Sequence, residues 1–362
     1  MKKQQPQRIA DARELLRSKK LSYLLISDPT DVEYISGFHS SNVHALISSR
    51  RSVLISDFRY RKAATGHCKQ HPAWQFFEIK ESSFTFLNKL LRKGARLGVQ
   101  SNFLTVDQYD RLKKQCSKAT IVKLRNEIPG LFLSKSDTEI KAARIAAGIA
   151  DQALNRLLPR LRPGISEQEA ASRLEKYCLE SGSERPSFDT IVLFGTRSAL
   201  PHGMPSKRTL KHRDIILIDF GCTHQGLCSD MTRTFTCGEA SRLQRRMYNI
   251  VLQAQKKALA GIKAGVRARD IDKIARDYIN KHNYGDQFGH ATGHGVGRRI
   301  HENPRIAKKD TTLLHNGIMI TVEPGIYSPR AGGVRIEDMA VVRDDGSQIL
   351  THFPKELIEL PV

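Results

Sequence analysis

The chain has 362 residues, 40% of them hydrophobic and 27% charged, a composition suited to a globular protein with room for two domains. No apolar run reaches the roughly 18–20 residues that span a bilayer, so no membrane-spanning helix is expected. The formal net charge is +22, but Lys and Arg fall in short scattered clusters such as Lys19-Lys20 and Arg245-Arg246. Specific nucleic-acid binding is therefore not expected, although salt-sensitive adhesion to polyanions is.

The first segment, MKKQQPQRIADARELL, is basic with no apolar core behind it, so it does not read as a secretory signal, and a cytoplasmic location is expected. PQRIADARELLRSK predicts a helix and SYLLIS a strand, followed by a turn-rich DPTDVEYISG. HALISS and SVLIS predict two more strands, FRYRKAATGH an amphipathic segment, and WQFFEIK a strand. The helix FTFLNKLLRK, the strand RLGVQ, a helix from Val106 to about Ser117 and the strand TIVKL complete the run. Such alternation implies an open α/β sheet with helices packed on it. Pro129-Gly130 breaks the pattern, giving an N-terminal domain over 1–128 and a second domain over 134–362.

The second domain opens with a helix over 138–158 capped by Ser136 or Asp137, then a second helix behind Ser166-x-x-Glu169. Two segments of one design follow. DIILIDFG is an apolar run ending in Asp219, and LCSDMTRTF behind it carries Asp230. GIMITVEPG ends in Glu323, and GVRIEDMAVV behind it carries Glu337. An internal duplication explains the repeat.

A two-residue turn at His224-Gln225 sets Asp219 directly opposite Asp230. A hairpin centred on Arg330 does the same for Glu323 and Glu337. Like charges facing each other destabilise a β-ribbon, and twice in one domain calls for a neutralising partner. Arg233 or Arg335 could serve for one pair. A pair of divalent cations serves for all four carboxylates, and oxygen ligands with one imidazole suit manganese, cobalt or zinc. GHATGHGVGRRIHENP, residues 289–304, offers His290, His294 and His301. Its glycines argue against a helix, so an extended or looped segment approaching the site closely is expected. His202 in SALPHGMP is a further histidine for the site. The six cysteines form no CxxC pair and read as reduced thiols, several of them buried.

SALPHG, IDFG, CSDMTRTF, TGHGVG, IHE, EPGIY and GGVRIEDM occur in this order. Together they resemble the pita-bread metallopeptidases, most closely the Xaa-Pro aminopeptidase and prolidase branch. DPTDVEYISGFHSSN and LISDFRYRKAA are similar to that branch's creatinase-type N-terminal domain. The resemblance implies an α/β creatinase-like domain followed by an α+β pita-bread catalytic domain with an internal pseudo-twofold duplication. It implies two divalent metal ions, manganese first with cobalt or zinc as alternatives, held by Asp219, Asp230, His294, Glu323 and Glu337. Water activated by the metals would attack the scissile carbonyl. Glu323 would pass a proton to the leaving proline nitrogen, His202 and His301 would bind substrate and the oxyanion, and Arg335 would orient carboxylates or contact substrate.

The implied activity is release of the residue preceding proline from a peptide, by a homodimer. An Xaa-Pro dipeptidase is the alternative, and a non-catalytic binding protein or a metal-free creatine hydrolase fits the ligand set less well. Three positions depart from the pattern: Phe194, Arg197 where Asn is common, and the pair Arg298-Arg299. Flanking His202 and His301, they bear on substrate range, or in the case of the arginines are surface substitutions in a basic protein.

Overall fold

Helix α1 (Gln5–Ser18) precedes β1 (Tyr23–Ile26) in the computed structural model of the chain, which describes residues 5–361. The chain divides into two units, Met1–Phe132 and Leu133–Val362. In the first unit, α2 (Pro29–Ser36) occupies the segment expected to be a turn. Its turn residues are end signals: the Asp28 side chain accepts from the Thr30 amide, Pro29 opens the helix, and Gly37 ends it at φ 71°. Short as it is, α2 buries Val32 and Ile35, which no local signal announces.

The remaining elements of this unit match the expected alternation, except that a short helix forms over Glu127–Gly130, at the expected break. They are β2 (His44–Ser48), β3 (Ser52–Ser56), α3 (Arg61–Gln70), β4 (Trp74–Glu78), α4 (Ser83–Leu90), β5 (Ala95–Gln100), α5 (Val106–Gln115), β6 (Ala119–Leu124) and α6 (Glu127–Gly130). The sheet runs β4-β3-β2-β1-β5-β6, with β2 antiparallel to both neighbours and the other pairings parallel. Its strands are apolar on both faces because helices cover both. Leu24, Ile26 and Leu54 join one core, and Leu25, Val53 and Ile55 the other.

In the second unit Ser136 is the cap of α7 (Asp137–Leu157), in a capping box with Glu139. Next come α8 (Glu167–Glu180), β7 (Ile191–Phe194), β8 (Ile215–Phe220), the ribbon β9 (Thr223–His224) and β10 (Leu227–Cys228), and β11 (Met231–Cys237). The pattern then repeats with α9 (Arg242–Ala260), α10 (Ala268–Lys281), β12 (Gly293–Gly295), β13 (Glu302–Ile306), β14 (Met319–Val322), the ribbon β15 (Gly325–Ser328) and β16 (Gly332–Arg335), and β17 (Asp338–Val342). β18 (Ser347–Ile349) and β19 (Glu359–Leu360) complete this unit's two larger sheets, β19-β11-β8-β7 and β13-β12-β14-β17-β18. Each half thus has two helices and three antiparallel strands, β7-β8-β11 in the first and β12-β14-β17 in the second, with a ribbon between the last two; β13 and β18 extend the second set.

The first register differs from expectation. Asp219 pairs with Thr232, not Asp230. The turn lies one residue later, at Gln225 (φ 50°) and Gly226 (φ 72°), because a tight hairpin needs positive φ at both central residues and glycine supplies it readily. The slip is by two positions, so Asp230 stays on the face of Asp219, diagonal to it instead of opposite. The second register is as expected. β14 meets β17 with Val322 against Asp338, and β15 meets β16 with Gly325 against Arg335. Glu323 and Glu337 fall between these two ladders, one on each strand.

The halves join at β11 and the β16–β17 strand. The Glu337 amide donates to the Thr232 carbonyl at 3.1 Å and Thr234 Oγ1 to the Arg335 carbonyl at 2.8 Å. The buried guanidinium of Arg233 donates to the Glu337 carbonyl, to Asp338 Oδ1 at 2.7 Å and to the Phe353 carbonyl at 2.8 Å.

Candidate metal centre

Four carboxylates reach one site because each stands where an apolar strand begins or ends. Asp219 is the penultimate residue of β8, Asp230 precedes β11, Glu323 follows β14 and Glu337 precedes β17. His294 is the middle residue of β12. A Cβ on Gly293 would overlap the Thr321 carbonyl, and one on Gly295 the Asn303 carbonyl. Glycine on both sides is what lets the histidine's strand lie this close to its neighbours.

Ligand atoms of Asp230, His294 and Glu337 lie within 4.8 Å of one another. His294 Nε2 is 3.5 Å from both Asp230 Oδ2 and Glu323 Oε1. Its Nδ1 is 3.0 Å from the Gly295 carbonyl, which can only accept, so the proton sits on Nδ1. The Nε2 lone pair then faces the carboxylates, the tautomer a metal ligand needs.

Burial and the neighbouring acids push Asp230 and Glu337 well above the usual carboxylate range. Burial lifts Glu323 to about 7, with Arg335 opposing, and lowers His294 to about 4. The single guanidinium among them, Arg335, donates to Asp219 Oδ2 at 2.5 Å, while Asp219 Oδ1 is buried with no hydrogen-bond partner. Crowded buried acids, a neutral imidazole with its lone pair turned inward and an orphaned carboxylate oxygen fit a divalent-cation site and fit little else.

Arg335 also donates from Nε to Thr232 Oγ1 at 3.0 Å, and that hydroxyl donates to Glu337 Oε2 at 2.7 Å. From Nη1 it reaches Tyr327 Oη at 2.7 Å and the Pro201 carbonyl at 3.3 Å. Tyr327 Oη is 2.9 Å from His290 Nε2, whose Nδ1 faces the Ala291 carbonyl at 2.7 Å. His290 therefore supports this network and lies away from the cluster of Asp230, His294 and Glu337. Sequence reasoning assigned no role to Tyr327 or Thr232. The available signal was strand pairing, since Thr232 is the true partner of Asp219 and Tyr327 shares a face with Glu323 and Gly325 along one extended segment.

His301 is exposed, its ring edge-on to His294 at 4.4 Å between centroids. His202 is also exposed, and near enough to His290 and His301 that a charge on it disfavours theirs. Of the departing positions, Phe194 is wholly buried and Arg197 binds Glu167. Arg298 is only 9% exposed and reaches the Gln225 carbonyl, so it is not a surface substitution.

Residues 141–344 match the model of metallopeptidase family M24, and residues 8–131 that of the creatinase/prolidase N-terminal domain. An Xaa-Pro dipeptidase of Pyrococcus horikoshii is 36% identical over 347 residues, 95% of this chain and 97% of that protein. The solved structure of an Xaa-Pro dipeptidase from Bacillus anthracis superposes with a TM-score of 0.94 at 38% identity, covering 98% of this chain and 100% of that one. An X-Pro aminopeptidase from Thermotoga maritima does so with a TM-score of 0.87 at 31% identity, covering 98% and 99%. A paired-acid centre on a duplicated frame, matched along nearly its whole length, makes this chain a member of metallopeptidase family M24, a pita-bread catalytic domain behind a creatinase-type N-terminal domain.

Proposed function

We propose that the chain hydrolyses the peptide bond between an N-terminal residue and a following proline, using two divalent cations, with manganese first in preference. The observation that carries this reading is the convergence of Asp230, His294 and Glu337 beside Glu323 and the orphaned Oδ1 of Asp219. Residues 1–128 form the N-terminal domain in this reading and 134–362 the catalytic one.

Asp219, Asp230, His294, Glu323 and Glu337 hold the cations. When bound, these supply Lewis acidity toward the carbonyl and activate water at neutral pH. The scissile bond is a tertiary amide, so its nitrogen leaves only when a proton is delivered to it. Glu323, lifted to about 7 by burial, is suited to carry that proton. His202 and His301, both exposed and the latter edge-on to His294, are suited to hydrogen-bond substrate and the carbonyl oxygen as it gains charge. Arg335 holds Asp219 directly and Glu337 through Thr232.

The sequence fits an aminopeptidase acting on longer peptides, placed first, and a dipeptidase alike. Of the two solved structures compared above, the one named an Xaa-Pro dipeptidase is 38% identical and the one named an X-Pro aminopeptidase 31%, which weighs toward Xaa-Pro itself as substrate. We infer a homodimer from the family resemblance, and we assign the chain to the cytoplasm, a compartment that suits its free cysteines.

Turnover of Xaa-Pro against Xaa-Pro-Yaa peptides by the metal-loaded protein, with Asp230→Ala alongside, tests the reading. Loss of activity in the variant is expected; an unchanged rate would overturn the metal-dependent mechanism. Preference for the tripeptide would return the chain to the aminopeptidases.

A further inference from the structure

The segment from Phe194 to Ser206 carries His202 and is tied down at three points by one carboxylate. Glu167 is fully buried at the start of α8. It accepts from the Phe194 amide at 2.9 Å, where the segment begins, and from the Ser206 amide at 2.9 Å and hydroxyl at 2.6 Å, where it ends. Between them Arg197 places Nε 3.1 and 3.0 Å from the two Glu167 oxygens, and its Nη2 donates to the Met204 carbonyl at 2.7 Å.

The segment is fixed from its other side as well. Ser198 Oγ accepts from the Gly333 amide at 2.8 Å, on the strand that leads to Arg335 and Glu337. A Cβ on Gly332 would crowd Ser198 Oγ, and one on Gly333 the Ser198 carbonyl. The Pro201 carbonyl accepts from Arg335. His202 thus sits between a bolt to the metal-bearing strand and a clamp on Glu167. Arg197 spans the clamp from within, linking the segment's first turn to the residues just beyond His202.

We propose that Arg197 is a positioning residue: through Glu167 and the Met204 carbonyl it holds the Pro201–Met204 stretch so that His202 meets the substrate. This rests on the proline-peptidase reading for its substrate. It gives a role to a side chain that motif comparison leaves unexplained. Burial of Glu167 makes the tie strong, because an acid removed from water depends on its few partners. The contacts of Arg197 are to Glu167 and the Met204 carbonyl, not to the proposed ligands, so metal content is a readout separate from the clamp.

Arg197→Met, Arg197→Lys, His202→Asn and the double variant Arg197→Met/His202→Asn test the proposal. Arg197→Met is expected to lower kcat/KM for an Xaa-Pro dipeptide by about ten- to a hundred-fold, mostly through KM, with metal content unchanged. Amide exchange over residues 195–206 should quicken, and the double variant should lose little beyond His202→Asn. Arg197→Lys keeps a cation over Glu167 and should recover part of the loss. It also carries the comparison if Arg197→Met does not fold.

Unchanged exchange over 195–206, or losses that simply add to those of His202→Asn, would overturn the clamp. A wild-type protein that hydrolyses no Xaa-Pro peptide would instead overturn the proposed function. The exchange measurement would still decide the clamp.

Discussion

Arg335 Nη2 lies 2.5 Å from Asp219 Oδ2, and both side chains are nearly closed to solvent. The same guanidinium reaches Thr232 Oγ1 and Tyr327 Oη, so one side chain orients acids from both halves of the catalytic unit. Its planar fork makes this possible, and an ammonium has no equivalent geometry. Arg335→Lys is expected to lower activity or metal affinity by roughly ten- to a hundred-fold, as loss of a ligand's supporting partner commonly does. Metal analysis beside steady-state kinetics will measure it. Wild-type values for both would mean that the carboxylates hold their geometry unaided.

Cation binding should release protons near neutral pH. Asp230, Glu323 and Glu337 have raised affinities for protons in the metal-free fold, Glu323 titrating near 7 against an ordinary 4.5. A raised acid contributes stability that is complete below its unfolded value and is lost as pH rises through the folded one. These acids should therefore withdraw stability from the metal-free protein from about pH 4.5 to beyond 7, opposed up to about pH 6.5 by the lowered His294, and the rise in Tm on adding Mn2+ should be larger at pH 7.5 than at pH 6.5. Calorimetry in buffers of differing ionisation enthalpy counts the protons. Release of none at pH 7 would contradict the electrostatics described for the centre.

Gly293→Ala should damage both fold and centre. The added methyl has nowhere to go, since its obstacle is the Thr321 carbonyl, a backbone atom. A cost of about 1–3 kcal/mol is expected from overpacking, together with displacement of His294 and a lower metal content. Denaturant unfolding and metal analysis measure the two effects. A variant with full metal occupancy and unaltered stability would show that the strand can shift without loss.

Arg233→Met should weaken the join between the halves of this unit. The guanidinium and its partner Asp338 are each 1% exposed, and removal of one member leaves a buried charge behind. About 3–5 kcal/mol of destabilisation is expected from chemical denaturation. Asp338 retains Lys355 Nζ at 2.5 Å and Gln255 Nε2 at 2.8 Å, so a second change at Asp338 should cost less than it does alone.

Much of this architecture is legible in the residues because the signals are local. The capping box at Ser136 and Glu139, the apolar runs of β8 and β14, and the carboxylates at their ends all lie within short windows. Glycines beside His294 correctly argue against a helical metal pair. The misread segment, 28–37, carries cap residues that double as turn residues, and only its buried Val32 and Ile35 decide for a helix. The Asp219 register fails by two positions because turn placement depends on which residues accept positive φ. Gly226 does so more readily than His224. Contacts between segments distant in sequence leave no local trace. The Arg335–Thr232–Glu337 relay spans 105 residues and the Arg197–Glu167 clamp spans 30, so both wait for the fold to become visible.

The seam between Thr232 and Glu337 has one more consequence. Asp219 and Asp230 come from the first half of the catalytic unit, and His294, Glu323 and Glu337 from the second. Any cation gripped by both sets is a crosslink closing a long stretch of chain, much as a disulfide does, but one that a chelator can undo. With the proposed ligands split in this way, neither half would hold the whole site alone, and an ion serving the chemistry would also rivet the frame that presents it.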